Sequence, residues 1–127
     1  MTGARILVVE DNAMNLKLVR DVLKHAGYDV VEATTGEQGV QLASECAPDL
    51  VLMDLQLPGI DGLEALRLLR DGEQDGHVPV VAVTAFAMKE DRARAVEAGF
   101  DGYLEKPISV RSLPAQVKEF LGGARPR

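Results

Sequence analysis

Cysteine is almost absent. Cys46 stands alone, so neither an intrachain disulfide nor a cysteine-based metal site can form. Its neighbours at helical spacing, Gly39, Leu42 and Ala43, point to an inert, packed thiol. Long apolar runs are missing too. The longest, such as Ile6 to Val9 and Val78 to Val83, fall far short of the roughly 20 residues that cross a bilayer. The opening Met1-Thr2-Gly3-Ala4-Arg5 has no apolar secretory core, and a cytoplasmic location is expected. Basic residues are in deficit, with 14 Lys and Arg against 20 Asp and Glu for a net charge of −6. That balance argues against nonspecific attraction to nucleic acid or an anionic membrane, and leaves proteins or cations as partners. The 12 Gly and 6 Pro are dispersed, and no repeat is visible, which removes collagen-like, disordered and solenoid architectures.

What is present is an ordinary folded composition, 46% apolar and 27% charged over 127 residues, the length of one domain. The expected boundaries are 1–121 for the domain and 122–127 for a flexible tail, Gly122-Gly123-Ala124-Arg125-Pro126-Arg127. Short β-branched runs (Ile6 to Val9, Val30-Val31, Leu50 to Met53, Val80 to Val83) alternate with longer stretches of helical periodicity. The first helix carries a stripe of Asn15, Val19, Val22, Leu23 and Ala26. The third carries Leu66 and Leu69, the fourth Ala93 and Val96, and the last Leu113, Val117, Phe120 and Leu121. Two helices end in the same phrase, His25-Ala26-Gly27-Tyr28-Asp29 and Glu97-Ala98-Gly99-Phe100-Asp101, with Gly as the left-handed residue past the terminus. A weaker fifth strand is expected at Gly102-Tyr103-Leu104-Glu105. Pro114 falls where the last helix should be running, so that helix starts near Ser112 or is kinked. Strands this apolar are buried on both faces, as parallel strands are between helical layers. The expected fold is α/β, a doubly wound parallel sheet of five strands with five helices.

The chemistry-bearing residues come where the strands end. Glu10-Asp11-Asn12 follow the first, Asp54 closes the third, Thr84 closes the fourth, and Lys106-Pro107 follow the fifth. In a parallel sheet these ends share the carboxyl edge, where open α/β folds hold ligands. Taken singly, each has a plainer role: Asp11-Asn12 as a helix cap, Asp54 as turn chemistry, Thr84 as a β-former, Lys106 as a solvated charge. Their convergence on one edge is the signal. Clustered carboxylates repel unless a cation or a lysine offsets them. Oxygen donors without cysteine or an obvious histidine suit a hard ion such as Mg²⁺. Asp54 could then accept a phosphoryl group as a carboxylate nucleophile, with the metal and Lys106 neutralising its oxygens and Thr84 offering a hydroxyl.

Together these residues resemble the receiver domain of two-component response regulators. The resemblance is carried by Glu10-Asp11, by Asp54 within Leu52-Met53-Asp54-Leu55-Gln56-Leu57-Pro58-Gly59, by Thr84 with the small Ala85, and by Lys106-Pro107, and it runs from about Arg5 to Leu121. Within the family, Glu10 to Asn15 and Val81 to Met88 look like stand-alone cell-cycle regulators and the receivers of hybrid histidine kinases. The resemblance implies strand order 2-1-3-4-5, and phosphoryl transfer from a histidine kinase or histidine phosphotransfer protein onto Asp54. It implies Mg²⁺, or Mn²⁺ in its place, ligated by Asp11, Asp54 and the main-chain carbonyl of Gln56, with Glu10 acting through water. Lys106 is implied to pair with Asp54 and then with the phosphoryl oxygens, Thr84 and Tyr103 to act as a switch pair, and Lys106–Pro107 to be cis. The implied output surface, formed by the fourth helix, fifth strand and fifth helix, includes Lys89, Arg92, Val96 and Tyr103.

Gln56, Ala85 and Phe86 are expected to flank the path of attacking water, the bulky Phe86 slowing loss of the phosphoryl group. A haloacid-dehalogenase phosphatase would need a second Asp where this chain has Gln56, and the phosphate of a flavodoxin cofactor would be repelled by Glu10-Asp11. Six residues follow Leu121, so no output module is expected, only contact with a downstream protein or onward phosphotransfer. The chain is expected to catalyse nothing beyond its own phosphorylation and dephosphorylation. A receiver excised from a hybrid kinase and a phosphorylation-independent docking module remain as alternatives.

Overall fold

The alternation of apolar runs and helical stripes becomes ten elements in the computed structural model, which describes residues 3–57, 59–72, 78–85 and 89–123. In chain order these are β1 (Arg5–Val9), α1 (Ala13–His25), β2 (Asp29–Ala33), α2 (Gly36–Cys46), β3 (Leu50–Asp54), α3 (Gly62–Asp71), β4 (Val80–Thr84), α4 (Lys89–Ala98), β5 (Gly102–Glu105) and α5 (Leu113–Gly123). The strands form one parallel sheet in the order β2-β1-β3-β4-β5. Register sets Val9 beside Met53, Asp54 beside Val83, and Thr84 beside Glu105, so the carboxyl ends of the inner strands arrive together.

Alternation along each strand divides the interior in two. Leu7, Val9, Val51, Met53, Val80 and Ala82 pack under Ala65, Leu66 and Leu69 of α3 and Ala95 of α4. Ile6, Val8, Leu50, Leu52, Val81 and Val83 pack under Leu16, Val19 and Leu23 of α1 and Leu113 and Val117 of α5. Every residue of β3 and β4 is buried. Each such Leu or Val contributes about 1.5–3 kcal/mol of transfer free energy, which is why these runs read as continuous apolar stretches.

Polar side chains close the helix starts. Asn12, Thr35 and Asp61 accept from the amides of Asn15, Gln38 and Glu64 at 3.0, 3.1 and 2.9 Å. Gly27 and Gly99, the glycines of the repeated phrase, take φ values of 97° and 107°. Helix α5 begins at Leu113, directly after Ser112, with Pro114 in its first turn, where no intrahelical amide is required. It continues to Gly123, into the segment expected as a tail; residues 124–127 lie outside the described residues. Cys46 is half-buried at the end of α2, its carbonyl accepting from Arg5 Nη1 at 2.6 Å. No described helix is long and apolar enough to cross a membrane.

One face differs from the reading of the sequence. Helix α4 seats Ala95 on the sheet, while Ala93 is exposed and Val96 is 68% exposed. The phase is fixed from the helix end: the Phe100 amide donates to the Ala95 carbonyl at 3.1 Å and the Phe100 ring is buried. In so polar a helix, a spacing pattern cannot separate one alanine from another two residues away.

Candidate functional site

Among the described residues, the buried polar or charged side chains are Glu10, Asp54 and Thr84, each at the carboxyl end of an inner strand. The backbone ladder places them. The Glu10 amide donates to the Ala33 carbonyl at 3.0 Å, the Leu55 amide to Val83 at 3.0 Å, and the Lys106 amide to Thr84 at 2.8 Å. Pairing thus continues one residue past the strands before the chain turns away.

Lys106 reaches back over this edge. Its Nζ lies 2.8 Å from Asp54 Oδ2 and 3.1 Å from Glu10 Oε1. The other oxygen of each carboxylate is held by a main-chain amide: Gln56 donates to Asp54 Oδ1 at 2.9 Å, and Asn12 to Glu10 Oε2 at 3.1 Å. Burial pushes the Glu10 carboxyl above its ordinary value, and a hydrogen bond with Asp54 pushes it further. Loss of solvent alone would lower the Lys106 ammonium, but its hydrogen bonds to Asp54 and Glu10 more than offset this, and its value is raised.

One oxygen each from Glu10, Asp11 and Asp54 can be chosen with all three within 4.8 Å of one another. Glu10 and Asp54 are buried, whereas Asp11 is exposed and opens the group to solvent. Lys106 is one cation against three carboxylates, so negative charge is in excess. A hard dication fits this set: the donors are all oxygens, they converge, and Glu10 already favours neutralisation.

The other expected residues distribute around this centre. Gln56 follows Asp54 in the same turn with its side chain exposed, and Ala85 is exposed beside Thr84. Tyr103 is half-buried against the α3/α4 core, beside Ala82 in register. Thr84 lies two residues beyond Ala82, so Thr84 and Tyr103 share that face of the sheet. Lys106–Pro107 is cis. Phe86, expected to limit water access, lies outside the described residues, as does Pro58 of the Asp54 motif.

Gly62 was not legible as a site residue. A Cβ there would lie 2.7 Å from the Asp54 carbonyl oxygen and 2.8 Å from Leu55 Cα. The first turn of α3 therefore rests directly on the backbone that carries Asp54. No sequence signal marks it, because the close approach exists only once α3 is docked.

A doubly wound sheet of this order, with acidic groups, a threonine and a lysine meeting at its carboxyl edge, defines the receiver class. The chain belongs to the response regulator receiver domain family, matching it over residues 6–118. It is 45% identical over 119 residues to the polar-differentiation response regulator DivK of Brucella ovis, covering 94% of this chain and 97% of that one. DivK of Brucella anthropi is 44% identical with the same coverage. Among solved structures, the receiver domain of the sensor histidine kinase PA1611 from Pseudomonas aeruginosa superposes with a TM-score of 0.86 at 37% identity. It covers 94% of this chain and 98% of that one, and carries a magnesium ion in its active-site cleft. A CheY-like receiver from Methanospirillum hungatei gives a TM-score of 0.83 at 31% identity, covering 96% of each chain. Family membership excludes the phosphatase and flavodoxin readings. Receiver domains of two-component systems act with histidine kinases and downstream targets, and bind Mg²⁺ at an acidic site.

Proposed function

We propose that this chain is a phosphorylation-controlled switch in which Asp54 accepts a phosphoryl group from a phosphohistidine on a histidine kinase or histidine phosphotransfer protein. The observation that carries the reading is the 2.8 Å contact of Lys106 Nζ with Asp54 Oδ2, on a carboxylate 1% exposed at a strand end. A charged pair with that degree of burial is costly to maintain for stability alone.

In the transfer, an Asp54 carboxylate oxygen forms a bond to phosphorus while the N–P bond to the donor imidazole breaks. The electron pair leaves with the imidazole nitrogen. Lys106 shifts from the carboxylate to the transferred oxygens, and Thr84 offers them its hydroxyl. Asp11, Asp54 and the Gln56 carbonyl would hold Mg²⁺, with Glu10 acting through water; Mn²⁺ is expected to substitute. The ion supplies charge neutralisation for the phosphoryl oxygens. Magnesium in the PA1611 receiver, and the oxygen-only donor set here, support that assignment.

The switch then runs through Thr84 and Tyr103 on one sheet face, and a downstream protein reads the α4–β5–α5 surface. Gln56, Ala85 and Phe86 bound the approach of hydrolytic water, Phe86 by its position in the sequence. The chain catalyses only its own phosphorylation and dephosphorylation, and we place it in the cytoplasm, with residues 1–121 carrying these functions. Likeness to DivK across 97% of that regulator supports a DivK-like response regulator function. Acetyl phosphate with Mg²⁺, read by intact mass, tests the reading. An adduct on the native chain and none on Asp54→Asn supports it, whereas no adduct on the native chain favours a docking module.

A further inference from the structure

Helix α4 is fixed firmly at its C-terminal end. At its C-terminal end the Phe100 ring is buried, and the Gly99 and Phe100 amides return to Val96 and Ala95 at 3.1 Å. Arg70 of α3 binds the Gly99 carbonyl at 3.4 Å and Asp101 Oδ2 at 2.9 Å, and the same Asp101 oxygen accepts from the Val80 amide at 2.8 Å. That end of the helix is riveted to α3 and β4.

The other half is polar. Among the described residues of α4, only Ala95 is buried. N-terminal to it, Arg92 reaches the sheet. Its Cζ stands 5.4 Å from the centroid of the Tyr103 ring, and its Nη2 lies 3.9 Å from Glu105 Oε1. Tyr103 and Glu105 are two apart on β5, so both side chains rise on one face toward the helix. One guanidinium therefore bridges the aromatic face and the carboxylate, the geometry in which a cation is attracted by the ring quadrupole.

We propose that Arg92 is a clasp on the switch: it holds the Tyr103 ring in its half-buried position against α4 and so biases the unphosphorylated chain against the responsive conformation. This rests on the reading of Tyr103 as a switch residue. For the ring to turn toward Thr84, it must leave the guanidinium, or α4 must follow it by pivoting on the end fixed by Arg70, Gly99 and Phe100. The clasp sits at the exposed surface, since the Arg92 and Glu105 side chains are 59% and 54% exposed. An exposed cation–π contact corresponds to roughly a two- to five-fold bias in a two-state equilibrium. Such a clasp tunes the threshold without locking the switch.

The experiment uses the full chain with 3-fluorotyrosine in place of its 2 tyrosines, the signals assigned with Tyr28→Phe. In wild type, beryllofluoride with Mg²⁺ defines the position of the Tyr103 resonance in the phosphoryl-like state. In ligand-free Arg92→Met, which keeps an unbranched side chain and removes the charge, the resonance is expected part-way toward that position. Labelling of Asp54 by acetyl phosphate is expected to accelerate by roughly the same two- to five-fold factor, which a purely local change of field at the ring does not produce. Arg92→Lys, which retains a cation, is expected to change both readouts less. An unchanged labelling rate in Arg92→Met, or equal effects of Met and Lys, overturns the clasp. A wild-type resonance that beryllofluoride does not move removes the switch reading itself, and the clasp with it.

Discussion

Lys106 and Asp54 meet at 2.8 Å although they are 52 residues apart, and the same ammonium lies 3.1 Å from Glu10. The pair is a consequence of topology, because β3 and β5 flank β4 and their carboxyl ends converge. Removing the lysine leaves two buried carboxylates facing one another. Lys106→Ala is expected to destabilise the ion-free protein by about 1–3 kcal/mol at neutral pH, less than a fully buried broken pair because Asp11 opens the site to solvent. Urea unfolding measures it, and saturating Mg²⁺ is expected to recover part of the loss by supplying the missing charge.

Glu10 gives the pH dependence. Its value is raised in the folded state, so the native protein binds this proton more tightly than the unfolded chain does. Stability linked to it is highest below the unfolded value, about 4.3, and falls as pH rises through the raised folded value. In Glu10→Gln, which mimics the protonated form, that fall disappears. The variant is expected to be more stable than wild type at pH 7 without metal, with the gain shrinking toward pH 4. A parallel pair of unfolding series without and with Mg²⁺ checks the sign, since the ion should stabilise the wild type more than the variant.

Asp11 is exposed, so its replacement touches the site without disturbing the core. Asp11→Asn is expected to change ion-free stability by no more than about 0.5 kcal/mol. The rise in melting temperature on titrating Mg²⁺, which follows from binding to the native state alone, should move to higher concentrations. An unaltered titration would take Asp11 out of the ion's coordination.

Gly62 and Gly122 make a contrasting pair. A Cβ at Gly62 meets the Asp54 and Leu55 backbone below 3 Å, whereas one at Gly122 meets nothing within 4 Å. Gly62→Ala is expected to cost about 1–3 kcal/mol from overpacking and to slow acetyl phosphate labelling, because the backbone carrying Asp54 must shift. Gly122→Ala, near the end of α5, is expected to be neutral or to stabilise by up to about 1 kcal/mol, with labelling unchanged.

These residues also show what a sequence can and cannot disclose. Strand ends were legible because an apolar run buried on both faces stops abruptly at Asp54, Thr84 and Glu10, and charge appears where the sheet opens. Helix ends were legible because Gly27 and Gly99 supply a backbone conformation that other residues resist. Pro114 narrowed the start of α5 to two readings, a helix beginning near Ser112 or a kinked one, and only the structure chose between them, placing Pro114 in the first turn, which tolerates it. The face of α4 was not, because its periodicity is weak and its rotation is set by Phe100 after the helix has ended. The steric limit at Gly62 and the stacking of Arg92 on Tyr103 arise between elements brought together only by tertiary packing.

If Asp54 is the phosphoacceptor, the half-buried Lys106 and the acidic trio around it serve that one carboxylate. Labelling with acetyl phosphate in the presence of Mg²⁺, followed by borohydride trapping of the acyl phosphate and peptide mass mapping, locates the group directly. One modified position is expected, Asp54, with no labelling once the ion is chelated and none in Asp54→Asn. Trapped label at another carboxylate, or undiminished labelling without Mg²⁺, would contradict it.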